Sequence, residues 1–326
     1  MLRTTAILAL LILSSSAPGF LLAAPGPGET EVHRVELEGG LRLALHRFPT
    51  PARTGGPTRP AVLILHGSTF PTRLSSAYRF ADGSSWMGQL AAAGWDVWGL
   101  DFLGYGQSDR YPQMLTEIRE GHPLGRAEEA AAQVLAAVRY IEAQEVPRLS
   151  LIAHSWGTVV AGRFVEEHGD RVDRLVLFGA IAQRSGDPSP LPAEASAEVT
   201  GQQQLDRFRG QVPPGEPMVL EEPELATWAP AYLATDPRSG ERQPPAVRVP
   251  NGPSADVAEA WSGHLPYDPS RIRVPTLLIR GEWDPVTTAA DTEWLFSALT
   301  AVPEKRSVVI GRGTHLLQLE KGRLQL

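Results

Sequence analysis

The stretch Leu149 to Thr158, LSLIAHSWGT, restricts this chain more than any other. The apolar run Leu149 to Ala153 reads as a buried strand, which stops at Ser155 and passes through Gly157 into VVAGRFVEEHG, a helical pattern. Small residues two places either side of the serine, Ala153 and Gly157, permit a turn tight enough to leave its side chain standing above the sheet. A serine ahead of a helix is often only an N-cap, so the surrounding chain has to decide between a cap and a nucleophile.

The rest of the sequence repeats the same grammar. Ala61 to Leu65, AVLIL, is a second buried strand, ending in His66-Gly67-Ser68-Thr69. Asp96 to Phe102, Arg174 to Phe178, Pro275 to Arg280 and Arg306 to Ile310 read as further strands, with helices at Trp86 to Ala93, Arg126 to Gln144 and Thr288 to Leu299. In the second helix Ala127, Ala130, Val134, Val138 and Ile141 recur every three or four residues, and Glu128 and Glu129 complement the dipole of its first turn. Val32 to Glu38 and Leu41 to Phe48 alternate around Gly39-Gly40, as an edge hairpin would. Strands alternating with helices imply an α/β fold: a doubly wound, mostly parallel sheet covered on both faces.

Between the strands at Phe178 and Pro275 the pattern lapses. A structureless loop of that length does not fit a compact domain, so residues 183–270 are expected to form an inserted, mainly helical cap, with core on either side at 25–182 and 271–326. Short helices are expected near Gly201 to Phe208, Leu225 to Leu233 and Ala255 to Trp261. Trp228, Tyr232, Trp261 and Tyr267 are candidate substrate-binding residues lining a pocket beneath it; the alternative is that they fill the cap's own core.

Composition narrows the partners. A net charge of −7 with no cluster of Lys or Arg argues against nucleic acid, whose binding depends on such clusters. Residues 1–24 combine Arg3, a short apolar run and small residues, so they read as a signal peptide cleaved after Ala17 or Ala24 and imply export to the periplasm or medium. The apolar run is too short for a spanning helix, so no stable membrane anchor is expected. With no cysteine the chain has no disulfides, which a domain this large does not need. No His, Asp and Glu cluster has metal-ligand spacing, and no metal or cofactor is expected.

A serine hydroxyl needs a base to take its proton. Of eight histidines, His33, His46, His122 and His168 sit in the edge hairpin or among polar residues and are expected in solvent. His154 is expected to turn away from the serine's face, His66 to brace its loop, and His264 to lie in the cap as the weakest rival. His315, in GRGTH after the last strand, stands at a carboxyl strand end, where such sheets carry reactive groups. Asp284, in GEWDP, holds the equivalent place one strand earlier, with Glu282 and Asp291 as rivals. The backbone N–H of Trp156 is a candidate donor to a developing oxyanion.

Together these motifs resemble the α/β-hydrolase family, with the usual G-x-S-x-G written A-H-S-W-G and the order Ser155, Asp284, His315 matching the family's triad. The likeness covers roughly residues 60–182 and 271–320. It implies a second oxyanion donor at Ser68, or at Thr69 because HGSTF departs from the commoner HG-x-P, and a structural turn in Asp101 to Ser108, DFLGYGQS, like the family's D-x-x-G-x-G-x-S. A serine at the elbow disfavours the dehalogenase and epoxide-hydrolase branches, which place a carboxylate there. Ser155-Trp156-Gly157 is similar to the proline iminopeptidases, whose HGGPG loop is absent. The activity implied is hydrolysis of a small carboxylic ester through an acyl-enzyme. Carbon–carbon hydrolysis of a diketone, an aminopeptidase reaction and slow-turnover ligand binding are the alternatives.

Overall fold

A computed structural model of the chain describes residues 30–49, 59–117, 121–186 and 190–326, and the expected signal peptide lies outside them. Eight strands form one sheet: β1 (Glu31–Glu36), β2 (Arg42–Arg47), β3 (Ala61–Leu65), β4 (Asp96–Asp101), β5 (Leu149–His154), β6 (Leu175–Phe178), β9 (Thr276–Gly281) and β10 (Lys305–Ile310). Their spatial order is β1-β2-β4-β3-β5-β6-β9-β10. β1 and β2 are antiparallel to their neighbours and the rest run parallel, so the hairpin around Gly39-Gly40 forms the antiparallel edge. β3 and β5 are buried along their whole length because helices cover both faces, which is why they read as unbroken apolar runs.

Helices α1 (Trp86–Ala92), α2 (Ala127–Glu142), α3 (Trp156–His168) and α7 (Ala289–Ala298) supply those layers. α2 buries the stripe that its periodicity marks, Ala127, Ala130, Val134, Ala137, Val138 and Ile141, and packs beside α3. Thr288 caps α7 reciprocally with Asp291, an exchange that satisfies two backbone donors at the helix start.

The segment between β6 and β9 holds the three anticipated helices, α4 (Gly201–Arg209), α5 (Glu222–Leu233) and α6 (Gly252–Trp261). It also holds an antiparallel strand pair that the sequence did not suggest, β7 (Ser196–Thr200) with β8 (Ala246–Pro250). The pair joins residues about fifty positions apart, and β7 is a single short run with one fully buried side chain, Ser196, so neither strand carries a strong alternating signature. The insertion is fastened to the core by a buried bond from Trp228 Nε1 to the Leu74 carbonyl at 3.1 Å and a partly buried one from Arg110 to the Thr235 carbonyl at 2.7 Å.

Candidate active site

Ser155 sits between β5 and α3 at φ 54° and ψ −128°, in the left-handed half of the map. For a residue with a Cβ this costs roughly 1–3 kcal/mol and persists only where the surroundings leave no alternative. Here they leave little. Ser155 N donates to the Phe178 carbonyl at 3.0 Å. A Cβ on Gly157 would lie 2.6 Å from the His66 carbonyl oxygen, and one on Gly67 would lie 2.8 Å from Ser155 Cβ. Both glycines are therefore required by close approach between the β3 and β5 turns. Ala153 is fully buried in the place of the motif's first glycine, where a methyl group is accommodated.

His315 follows β10 and Asp284 follows β9. His315 Nδ1 donates to Asp284 Oδ2 at 2.8 Å, between two side chains withdrawn from solvent. The other carboxylate oxygen accepts from the backbone N–H of Val286 at 2.8 Å and of Thr287 at 2.9 Å, and the Thr287 hydroxyl donates to Oδ2. Burial alone would raise the Asp284 pKa, but His315 and these donors outweigh it and hold the pKa below its usual value. Gly179 makes room for the pair, since a Cβ there would lie 2.9 Å from the imidazole. The rival acids are engaged elsewhere: Glu282 accepts from Arg312 N at 2.8 Å, and Asp291 binds Arg184 and caps α7.

With Nδ1 committed to the carboxylate, Nε2 of His315 is buried and has no hydrogen-bond partner. It shares one cavity of about 380 Å³ with Ser155, Ser68 and His154. Trp156 is the first residue of α3, so its N–H has no partner within the helix. Thr69 follows Ser68 at φ 77°, which makes the β3 turn tight.

The other histidines correct the sequence reading in three places, His154, His46 and His33. His154 does not turn away from the site: it lines the cavity, its ring lies 4.9 Å from that of His315, and its Nε2 donates to the His315 carbonyl at 2.8 Å. Desolvation first, and then the charge of His315, lower its pKa to about 3, so it is neutral and cannot serve as a cation at neutral pH. His46 is not solvated but buried, bonded through Nε2 to Asp101 at 2.8 Å. His33 is half-buried against Trp98 and Tyr140. His66 does brace its loop, accepting from Phe102 N at 3.2 Å, and His264 is exposed. The Asp101 to Ser108 turn is structural as expected: Asp101 also accepts from Thr72 N and Gln107 N, and a Cβ on Gly106 would collide with its carboxylate.

Of the four aromatic residues expected to line the pocket, only Trp261 does so. Trp228 and Tyr232 stack on one another at 5.3 Å and pack with Phe70 and Phe208, filling the seam between insertion and core. Tyr267 lies against Gly162, where a Cβ would come within 2.3 Å of the ring. Their large apolar area is spent on holding the insertion down. The wall they were expected to form is built instead by Phe70, Ile181, Val257, Val286 and Leu316, together with Arg207 and Gln211 from α4 and the turn after it.

This arrangement of elbow, acid and histidine on loops at the carboxyl ends of parallel strands is accompanied by a match to the family model describing the alpha/beta hydrolase fold over residues 60–322. The chain belongs to the α/β-hydrolase family. Among curated relatives, haloalkane dehalogenase 1 of Mycobacterium bovis and of Mycobacterium tuberculosis is 29% identical over 133 residues, spanning 41% of this chain and 38% of the relative's length. Among solved structures, a thioesterase domain from the curacin biosynthetic pathway covers 91% of this chain and 97% of its own at TM-score 0.58 and 18% identity. An esterase from Exiguobacterium antarcticum covers 90% and 95% at TM-score 0.58 and 17% identity. These structural likenesses establish the fold.

Among the buried carboxylates of this α/β-hydrolase, Asp256 and Glu320 bear on the site and play no part in the sequence reading. Asp256 of α6 accepts from Trp156 Nε1 at 2.8 Å and from Ala127 N at 2.7 Å, and binds Arg126. It thereby links the insertion both to the residue after Ser155 and to the start of α2. Asp256→Ala is expected to lower stability by roughly 2–4 kcal/mol, because two buried N–H groups lose their acceptor at about 1–3 kcal/mol each. Chemical denaturation checks this, and a loss below about 0.5 kcal/mol, the range of neutral surface changes, would contradict it.

Glu320 accepts from Thr314 N and from the Thr314 hydroxyl, holding the residue before His315. Desolvation raises its pKa from 4.5 to about 7. The folded protein therefore binds more protons than the unfolded chain between these values, and stability falls as pH rises from about 4.5 to about 7. Glu320→Gln is expected to flatten that fall by up to a few kcal/mol, since each tenfold difference in proton affinity between folded and unfolded chain is worth about 1.4 kcal/mol. Thermal melts of both proteins across this pH range measure it, and parallel curves would contradict the assignment.

Proposed function

We propose that the chain hydrolyses carboxylic esters through an acyl-enzyme. Ser155 Oγ attacks the substrate carbonyl and forms the new C–O bond while its proton passes to His315 Nε2. The tetrahedral oxyanion is held by the N–H groups of Trp156 and Ser68. Its collapse breaks the bond to the alcohol, which leaves with the proton from His315, and water then repeats the sequence to release the acid. Asp284 keeps the imidazole oriented and stabilises its positive form.

The observation that carries this reading is the His315–Asp284 bond, which commits Nδ1 and leaves Nε2 unpartnered in the same cavity as Ser155. The bond from serine to histidine in such sites commonly tightens only with substrate bound. The curated relatives named as dehalogenases do not redirect the assignment, because the family's carboxylate-nucleophile branches need an acid where this chain has Ser155.

A panel of p-nitrophenyl esters graded by acyl length, run beside an anilide and a vinylogous diketone, tests the proposal. Ester kcat/KM is expected to exceed that for the anilide by roughly 100-fold or more. Faster diketone cleavage would move the reading to carbon–carbon hydrolysis, and binding without turnover would move it to a ligand-binding protein.

A further inference from the structure

Arg207 lies in the last turn of α4 and lines the cavity that holds Ser155 and His315. Among the described residues it has neither an ion-pair nor a hydrogen-bond partner, unlike its neighbour Arg209, which is paired with Glu222. Its guanidinium sits instead near two aromatic rings, 5.7 Å from the centroid of Phe70 and 5.6 Å from that of Phe208. No aspartate or glutamate is among the cavity's lining residues, whose walls are otherwise largely apolar. Arg207 is exposed, as an arginine at the open side of a cavity is, and desolvation by the surrounding walls lowers its pKa to about 10. It remains charged at neutral pH, and its charge reaches the site, contributing to the lowered pKa of His154.

A cation with no counter-ion beside largely apolar walls gains from any anion that enters the cavity, and helix-dipole attraction at the end of α4 supplies only a fraction of that compensation. Gln211, one turn further on, lines the same cavity and spends its carbonyl oxygen on the backbone N–H of His315 at 3.1 Å, so its amide donors remain for a ligand. The geometry points to a substrate that brings the missing anion: Arg207 is the recognition cation for a carboxylate carried by the ester, seated against its guanidinium while the ester carbonyl lies at Ser155. This inference rests on the ester reading for the reaction but not for the binding. A planar guanidinium matches a carboxylate in two parallel hydrogen bonds, and in an apolar cavity such a pair discriminates strongly against a neutral isostere.

The test uses two matched substrate pairs, which place the charge on the acyl or on the alcohol side. Mono-p-nitrophenyl succinate is compared with p-nitrophenyl butyrate, and 4-acetoxybenzoate with 4-acetoxybenzamide. In the wild-type chain one anionic member is expected to exceed its neutral partner in kcat/KM by roughly 10- to 100-fold, the range for hydrogen bonds to charged groups. In Arg207→Gln that ratio should collapse towards one, and Arg207→Lys should restore part of it. A wild-type preference for the neutral member in both pairs, or a ratio unchanged in Arg207→Gln, would overturn the inference. Titration calorimetry of glutarate into the Ser155→Ala protein separates this outcome from failure of the ester reading. Saturable binding that Arg207→Gln abolishes supports the arginine's role even if no ester turns over, whereas no binding together with no turnover rejects both.

Discussion

Ser155→Ala is expected to lower kcat by roughly 10⁴-fold or more while the fold is retained, because the proposed acyl-enzyme step loses its nucleophile. The fold should tolerate the change well. Ser155 makes no side-chain capping bond to α3, and alanine at the elbow keeps the Cβ that already fits beside Gly67. The remaining activity should resemble what the oxyanion donors and binding achieve alone. Steady-state kinetics with a melting curve for the same preparation check both halves of the expectation. A variant that stays folded and turns over at more than a few per cent of the wild-type rate would show that Ser155 is a helix-start residue and nothing more.

Asp284→Asn is expected to cost roughly 10³- to 10⁴-fold in kcat, a nearly isosteric change whose damage is electrostatic and tautomeric. The asparagine can still accept through its carbonyl oxygen from Val286 N and Thr287 N, as Asp284 Oδ1 does, so the loop should hold. Its amide group then faces His315 Nδ1, where a donor meets a donor. The imidazole must either turn or shift its proton to Nε2, and in both cases the nitrogen proposed as the base for Ser155 is lost. Glu282→Gln, which only touches the backbone of Arg312, is the matched control and should leave kcat within about threefold, as surface changes usually do. Reversal of the two effects would identify Glu282 as the orienting acid.

Much of this site was legible in the sequence because its parts are local. AVLIL and LSLIA read as central strands since both faces of β3 and β5 are covered, and the residues closing each turn, Gly67 and Gly157, sit next to the groups they serve. Asp284 and His315 could be chosen from rivals by their places after the last two strands. What the sequence could not supply were partners made by topology. His46 reads as one polar residue of an edge hairpin until β2 is laid beside β4 and brings Asp101 to it. Asp256 has no local signature at all: its importance comes from meeting Trp156, 100 residues away. The aromatic residues of the insertion show the same limit from the other side. Trp228, Tyr232, Trp261 and Tyr267 are equally plausible as pocket wall or as packing, and only the seating of α5 on Leu74 and of Tyr267 on Gly162 separates them. Arg207 escaped notice because a lone arginine in the last turn of a helix is ordinarily a solvated dipole partner.

The most direct test is to treat the folded protein with a fluorophosphonate, digest it and locate the adduct by mass spectrometry. A single phosphonylated residue at Ser155 is expected, with the adduct lost in His315→Ala because the serine then has no base. Labelling at another serine, or a catalytically active preparation that acquires no label, would contradict the assignment of Ser155 as the nucleophile.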